Sequence, residues 1–156
     1  MVVAVRKALA IAPVVFFLLI SGFVSAYEFQ AYGYVTKVVD GDTVWFHSYY
    51  GYRAGETFKV RFADINAPEL YTAEGKESKA ALEWLFDTYG RHVYLDVDDV
   101  YETDHYGRVV AVVYLPFWYY GYALNVNEWL VESGYARIWN HYNEFNPYSW
   151  GLWVPI

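Results

Sequence analysis

The sequence predicts a β-rich α+β fold that forms one compact domain. Its length of 156 residues suits one domain better than two. The apolar fraction of 56% and the aromatic fraction of 22% are far too high for a disordered chain. Three strand-like segments precede an amphipathic helix, and two further strand-like segments precede a second helix.

The first three strands are predicted from alternation and turn residues. Residues 28–39 alternate loosely and are rich in Tyr and Val, which favours a strand. Residues 40–42, Asp-Gly-Asp, are typical of a turn, and residues 43–47 follow as the second strand. Residues 48–56 contain two glycines and predict a loop before the third strand at residues 58–63. The proline that follows ends this strand, because proline cannot donate to a sheet.

A change of period then predicts the first helix. Thr72 is a suitable N-cap, and Gly90 is a suitable residue just beyond the end. The apolar residues in between share one helical face: Ala81, Leu82, Leu85, Phe86 and Tyr89. Residues 92–100 and 109–115 predict two more strands around a loop at residues 101–108.

The second helix is predicted from a capping pattern. Asn125 followed by Glu128 resembles a capping box, and Gly134 ends the helix. Residues 135–140 form a short extended piece. Five strands with a helix between the third and the fourth are the layout of an OB-fold barrel, with two or three helices in total.

Residues 1–26 are predicted to be a targeting segment, which leaves residues 27–156 as the domain. Arg6 and Lys7 precede an apolar run, and small residues near Ala26 suit cleavage by an export peptidase. The alternative is a retained membrane anchor, because the apolar run approaches spanning length if it extends through Val24. We therefore expect a secreted, monomeric protein that contacts a membrane only if this segment is retained.

Composition and charge exclude several classes of protein. The sequence has no cysteine, so it forms no disulfide and has no thiol nucleophile. The four histidines lack metal-ligand spacing, and no serine hydrolase motif is present. The net charge of −7 argues against a general nucleic-acid binder, and loss of Arg6 and Lys7 would make it more negative.

Three short segments combine acidic residues with arginines: 39–44, VDGDTV; 60–69, VRFADINAPE; and 103–108, TDHYGR. Oxygen ligands at the ends of neighbouring strands suit Ca²⁺ or Mg²⁺. Arg61 and Arg108 can each present two parallel N–H donors, which match phosphate oxygens. Glu69 is a candidate general base for water. Together these groups suit in-line attack on a phosphodiester.

These segments resemble the signatures of the staphylococcal nuclease (thermonuclease) family, which read DGDTV, R-x(3)-I-x-A-P-E and D-x-Y-G-R. Residues 126–136 resemble the family's helix after the last barrel strand, and the resemblance covers residues 35–142. It implies a calcium-dependent endonuclease with Arg61, Glu69 and Arg108 as catalytic residues. Magnesium or manganese is the alternative ion.

The resemblance also implies the metal ligands and the substrate contacts. Asp42, the Asn66 side chain and the Ala67 carbonyl would hold the calcium ion, and Asp40 would support the turn or a water on the metal. The residues implied near the substrate are Tyr106, Tyr142 and His105. The expected substrates are DNA and RNA, with flexible or single-stranded stretches preferred.

Two departures from the family pattern affect these expectations. The family usually has Asp where this chain has Asn66, so metal affinity should be lower. Asp64 could compensate if strand periodicity turns it to the same side, or it could be a solvated carboxylate. The region after Tyr142 is short and contains Pro147, so the family's C-terminal helix is expected to be truncated.

Two other features have open interpretations. The acidic residues around 96–104 predict a solvated strand edge, with a second metal site as the alternative. The aromatic loops at residues 49–52 and 117–122 favour packing of the rings on each other, and base stacking is the alternative. The rival to a nuclease is a catalytically weak OB-fold module that binds an oligonucleotide or another extracellular ligand.

Overall fold

The computed structural model describes residues 28–156, so the predicted targeting segment at residues 1–26 lies outside the described residues. The strands are β1 (Ala31–Asp40), β2 (Thr43–Gly51), β3 (Thr57–Phe62), β4 (Ile65–Asn66), β5 (His92–Val97), β6 (Val109–Phe117), β7 (Tyr122–Asn125), β8 (Arg137–Ile138) and β9 (Trp153–Pro155). The helices are α1 (Ala73–Tyr89) and α2 (Val126–Glu132), with 3₁₀ turns at Trp118–Tyr120 and Pro147–Ser149.

Five strands close into the predicted OB-fold barrel. The sheet order is β3-β2-β1-β5-β6-β7-β9, and β3 also pairs with β6 in parallel. This last pairing aligns Val60 with Val109 and closes the ring β1-β2-β3-β6-β5. β7 and β9 extend the sheet beyond β6, so they lie outside the closed ring.

Both helices cover the barrel core, and the predicted face of α1 is confirmed at Leu82, Leu85 and Phe86 but wrong at Tyr89, which is exposed. Leu82 and Phe86 of α1 are buried in the same cluster as Val126 and Leu130 of α2. Burial of a side chain of this size stabilises the fold by about 1.5–3 kcal/mol. Neither helix in residues 28–156 is long and apolar enough to cross a membrane.

Both predicted N-caps are confirmed. The Thr72 hydroxyl accepts the Gly75 N–H, and the Asn125 side chain accepts the Glu128 N–H. These contacts satisfy amide groups that the first turn of a helix leaves without a backbone partner. α2 ends at Glu132, two residues before the predicted Gly134, which has a positive φ of 77°.

Several predicted strand ends are wrong. β2 extends into the predicted loop as far as Gly51, because its last residues pair with the start of β1, where Tyr32 aligns with Tyr50. The first strand begins at Ala31 rather than at residue 28. β5 ends at Val97 rather than residue 100, and β6 reaches Phe117 because β7 pairs with its last residues.

The chain after α2 contains no long helix, as expected. Within the described residues, the segment after β8 forms the second 3₁₀ turn and then β9. β9 pairs with β7 and aligns Val154 with Ala123. The sequence predicted a shortened C-terminal helix, and the structure instead has a short strand that is held by its pairing with β7.

The acidic cluster at residues 96–104 is only partly the solvated edge that we predicted. Asp96 and Asp98 are buried, and their carboxylates accept the N–H groups of Glu28 and Val100. The prediction is wrong because two segments that are distant in sequence meet at the end of β5. The backbone N–H of Glu28 donates to Asp96, and that of Glu144 donates to Asp98.

Rings of both aromatic loops contact other aromatic rings, which is the interpretation that the sequence favoured. The Tyr32 ring lies 6.5 Å from the Tyr50 ring and 6.3 Å from the Trp118 ring, measured between centroids. Trp118 also contacts Tyr94 at 5.5 Å. Such pairs contribute about 0.5–1.5 kcal/mol each beyond their buried area.

Candidate active site

Closure of the barrel brings Arg61 and Arg108 to one place. Arg61 lies on β3 and aligns with Thr43 of β2 and with Val110 of β6. Arg108 immediately precedes β6, so the β3–β6 pairing sets the two guanidinium groups beside each other. Both arginines line a cavity of about 260 Å³ and a wider cleft of about 420 Å³. The two spaces therefore meet at the arginine pair.

Arg61 is held by three oxygen atoms. Its guanidinium donates to the Phe62 carbonyl at 2.7 Å and to Asn66 Oδ1 at 3.1 Å, and it lies 3.4 Å from Asp42 Oδ2. Burial lowers the pKa of Arg61, and the neighbouring Arg108 charge lowers it further, whereas Asp42 raises it. The planar fork is thus fixed in orientation before any ligand arrives.

Asp42 is a buried carboxylate with its own set of donors. Oδ2 accepts the Ala67 N–H at 2.7 Å, and Oδ1 accepts the Thr43 hydroxyl at 3.1 Å. Burial raises the pKa of Asp42 to about 6, although Arg61 and the Ala67 N–H favour its charged form. A nearby cation would therefore relieve an unfavourable burial of negative charge.

The turn before Asp42 packs against α1. Asp40 Oδ1 accepts the Asp42 N–H at 3.0 Å, which closes the turn around Gly41. A Cβ at Gly41 would overlap the buried Ser78 hydroxyl, so this turn and the helix approach too closely for any other residue.

Glu69 is exposed at the edge of the smaller cavity, and its backbone is fixed by the start of α1. The Glu69 carbonyl accepts the Thr72 N–H at 2.9 Å and the Thr72 hydroxyl at 2.7 Å. A Cβ at Gly75 would overlap the same carbonyl oxygen. The side chain of Glu69 is therefore free to reach a ligand while its main chain is held.

Asn66 and Ala67 lie in the same cavity as Asp42 and Glu69. Asn66 belongs to β4, which pairs with β8 and aligns Asn66 with Arg137. Its amide oxygen already accepts from Arg61, so a bound cation would have to share this atom with the guanidinium.

Asp104 orients Arg108, and the sequence analysis did not assign it this role. Its Oδ2 accepts Arg108 Nε at 2.7 Å, and its Oδ1 accepts the backbone N–H groups of Tyr106 and Arg108. Burial works against the charged form of Asp104, but these hydrogen bonds together lower its pKa. Arg108 also contacts the Thr43 hydroxyl at 3.5 Å and lies 5.2 Å from the Tyr106 ring centre. Thr43 and Asp104 both lie within the motifs quoted above, and this position is the signal from which their roles could have been predicted.

The predicted substrate residues divide between the two spaces. Tyr106 lines the smaller cavity, whereas His105 and Tyr142 line the wider cleft. Tyr106 and Tyr142 are both largely exposed.

Asp64 does not join the metal-ligand candidates. It lines the wider cleft, away from the cavity that Asp40 and Asp42 line. Its Oδ1 accepts the His141 N–H and the Asn143 side-chain N–H, and both of these residues also line the wider cleft. Asp64 does not turn to the side of Asp42, because the strand ends at Phe62 and the positive φ of 55° at Asp64 breaks the strand periodicity. The alternative of a solvated carboxylate is also wrong, because Asp64 is buried.

The smaller cavity offers a mixed set of oxygen atoms rather than a carboxylate cluster. Among residues 28–156, no group of three or more His, Asp or Glu side chains is arranged to hold a metal ion. The cavity combines the two carboxylates of Asp40 and Asp42 with the Asn66 amide and the backbone at Ala67. Carboxylate, amide and carbonyl oxygens are the ligand types that Ca²⁺ accepts.

The fold and the site together define a class of protein: an OB-fold barrel with an arginine pair between carboxylates at one end of its strands. A family model described as staphylococcal nuclease homologue matches residues 59–151. The chain belongs to this family.

Three relatives show the extent of the similarity. A micrococcal nuclease from Shigella flexneri is 34% identical over 115 residues, which cover 72% of this chain and 60% of that protein. An uncharacterized endonuclease from Haemophilus influenzae is 33% identical over 109 residues, which cover 70% and 53%. An uncharacterized endonuclease from Escherichia coli is 29% identical over 112 residues, which cover 72% and 63%. The chain thus spans between about half and two thirds of the length of these relatives.

Proposed function

We propose that this protein is a metal-dependent endonuclease that hydrolyses phosphodiester bonds of DNA and RNA, with calcium as its ion. The observation that carries the proposal is that Arg61, Arg108, Glu69 and Asp42 line one cavity of about 260 Å³. Family membership and the nuclease names of the relatives support it. We further propose that the protein acts outside the cell, because residues 1–26 have the pattern of an export signal.

The residues of the cavity fit a hard cation. Asp42, Asp40, the Asn66 amide and the Ala67 carbonyl would hold it, and because burial raises the pKa of the Asp42 carboxyl, a bound cation would favour the charged form of this ligand. Only two of these groups are anionic, so binding should be weaker than at a site with three carboxylates. When bound, the cation supplies positive charge beside the phosphate and an ordered water.

The arginine pair would bind the phosphate group. Each guanidinium can donate two N–H groups to phosphate oxygens, and the phosphorus would lie between them. Negative charge on these oxygens increases as water attacks, so donors already held by Asn66 and Asp104 stabilise the transition state more than the substrate. Removing one such donor typically lowers kcat by about 10²–10³-fold.

Glu69 would accept the proton of the attacking water. The water oxygen forms a bond to phosphorus, the ester bond on the opposite side breaks, and the departing oxygen takes a proton from solvent. Glu69 suits this role because its backbone is anchored while its side chain is exposed at the cavity. A positioned base contributes about 10²–10⁴-fold to the rate.

The neighbouring cleft would hold the nucleoside next to the attacked phosphate. His105 and Tyr142 line it, and Tyr106 lies beside Arg108 at the other cavity. A base can stack on such exposed rings only when it is unpaired, which supports a preference for flexible or single-stranded substrate.

The decisive experiment compares Glu69→Gln with Glu77→Gln in the purified protein. Glu77 is an exposed carboxylate of α1 that does not line the cavity. Cleavage of a labelled single-stranded DNA is measured with Ca²⁺, with Mg²⁺ or Mn²⁺, and with a chelator. We expect cleavage only with metal, a loss of at least about 10²-fold in Glu69→Gln, and no change in Glu77→Gln.

Binding separates the enzyme from its rival. Glu69→Gln should retain the wild-type affinity for the oligonucleotide, because the phosphate is held by the arginines. A wild-type protein that binds the oligonucleotide and never cuts it with any of the three ions would instead be an OB-fold binding module. Cleavage that persists with the chelator would refute the metal dependence.

A further inference from the structure

Asp64 occupies a strained and buried position between two parts of the site. It lies three residues after Arg61 and two residues before Asn66. Its φ of 55° is uncommon for a residue other than glycine. The residue is only 3% exposed, and burial raises the pKa of its carboxyl group. Such a position is energetically unfavourable and persists only where its surroundings hold it.

Its hydrogen bonds all lead to one segment near the C-terminus. The Asp64 carbonyl accepts the Trp139 N–H at 2.8 Å. Oδ1 accepts the His141 N–H at 2.9 Å and the Asn143 side-chain N–H at 2.8 Å. The Oδ2 atom is buried and has no hydrogen-bond partner.

The segment at residues 139–143, which we call the cleft wall, forms one side of the wider cleft. His141, Tyr142 and Asn143 line this cleft together with Arg61 and Arg108. Tyr142 is 83% exposed and lies 6.4 Å from the Tyr101 ring, measured between centroids. Its position relative to the arginines therefore depends on the backbone of the cleft wall rather than on burial of its own ring.

We infer that Asp64 is a positioning residue that fixes the cleft wall beside the arginine pair, so that Tyr142 meets the nucleoside attached to the bound phosphate. The inference rests on the proposed function, because it assigns the cleft to the substrate of that reaction. Asp64 acts as a hydrogen-bond acceptor through Oδ1, and its contacts do not require the second oxygen. Asparagine can supply the same acceptor and tolerates a positive φ, whereas glycine tolerates the φ and supplies no acceptor.

The test compares Asp64→Gly with Asp64→Asn in steady-state cleavage of a single-stranded oligonucleotide. We expect Asp64→Gly to raise KM about tenfold with kcat within about threefold of wild type, since the arginines and Glu69 stay in place. Asp64→Asn should restore KM to within about threefold of wild type. Asp96→Ala is the matched control, because it removes another buried carboxylate that lines neither space.

Three results would overturn the inference. They are an unchanged KM in Asp64→Gly, a KM in Asp64→Asn as high as in Asp64→Gly, and an equal rise of KM in Asp96→Ala. Amide hydrogen exchange provides a direct readout: protection of the His141 N–H, which donates to the Asp64 side chain, should fall in Asp64→Gly and persist in Asp64→Asn. The Trp139 N–H donates to the backbone carbonyl of residue 64 and keeps this acceptor in both variants.

Binding distinguishes failure of this inference from failure of the proposed function. The dissociation constant of the same oligonucleotide is measured in the Glu69→Gln background, with and without Asp64→Gly. If the wild type proves inactive but binds, the proposed reaction fails, and about tenfold weaker binding with Asp64→Gly still supports the positioning role. Unchanged binding in that background refutes it, whatever the activity of the wild type.

Discussion

Asp96 makes the stability of this protein depend on pH in a direction opposite to that of an ordinary paired carboxylate. The residue is 3% exposed, and its Oδ2 accepts the Glu28 N–H at 3.0 Å. Burial raises the pKa of Asp96 from 3.8 to about 7, and the nearby carboxylates of Glu144, Glu28 and Asp99 add to the rise. The folded protein therefore holds this proton up to a pH at which the unfolded chain has released it.

The sign of the effect follows from proton binding. Below about pH 4 both states carry the proton, and the neutral carboxyl contributes its full stability. Between about pH 4 and 7 the folded state binds more protons, so the free energy of unfolding falls as the pH rises. One pKa unit corresponds to about 1.4 kcal/mol, so three units set an upper limit of about 4 kcal/mol. Relaxation around the charge reduces this, and we expect a loss of about 2–3 kcal/mol.

The assay is urea unfolding at pH 4.5 and pH 8 in the absence of metal, with Asp96→Asn and the control Asp87→Asn. Asparagine keeps an acceptor for the Glu28 N–H and cannot ionise. Asp96→Asn should match the wild type within about 1 kcal/mol at pH 4.5 and exceed it by about 2–3 kcal/mol at pH 8. Asp87 lies in an exposed ion pair with Arg91, so its variant should change little at either pH. Equal stability of the wild type and Asp96→Asn at both pH values would refute the reasoning.

Three further substitutions test the site and the core. Asn66→Asp adds a carboxylate to the cavity and should tighten Ca²⁺ binding about tenfold by calorimetric titration, and an unchanged affinity would exclude this position as a ligand. Asp104→Asn weakens the hold on Arg108 Nε and should lower kcat about tenfold with little loss of stability, whereas full activity would show that Arg108 needs no orienting group. The buried Asn127 side chain accepts the Val113 N–H and donates to the Ala63 carbonyl, so Asn127→Ala removes a partner from both groups. This substitution should lower the free energy of unfolding in urea by about 2–4 kcal/mol. A loss below about 1 kcal/mol would show that these two hydrogen bonds contribute little to stability.

The elements that sequence predicted well are those with local causes. The caps at Thr72 and Asn125 depend on a side chain and an N–H three residues away, and both are present. The turn at residues 40–42 depends on Asp and Gly, and Asp40 closes it. A single stretch of sequence carries each of these signals.

The elements that sequence missed depend on distant partners. β7 and β9 are short: β7 pairs with the end of β6, and β9 pairs only with β7. The burial of Asp96 and Asp98 depends on segments far along the chain, so a run of acidic residues suggested a solvated edge. Asp64 was misjudged for a similar reason: its partners at residues 141 and 143 are separated from it in sequence by α1, α2 and two of the five barrel strands.

The acidic net charge and the proposed polyanionic substrate are compatible because the charges that meet the phosphate are local. The net charge of −7 disfavours approach of a polyanion from a distance, and salt screens that repulsion beyond about 8–10 Å. At the cavity, Arg61 lies 3.4 Å from the buried Asp42, whose charge already offsets part of its own. A cation held by Asp42 would neutralise this carboxylate in place of Arg61 and leave the guanidinium charge available to the phosphate. The same Asp42 carboxylate would thus couple metal binding to substrate binding, so that weaker metal binding caused by Asn66 would appear as weak substrate binding at low metal concentration.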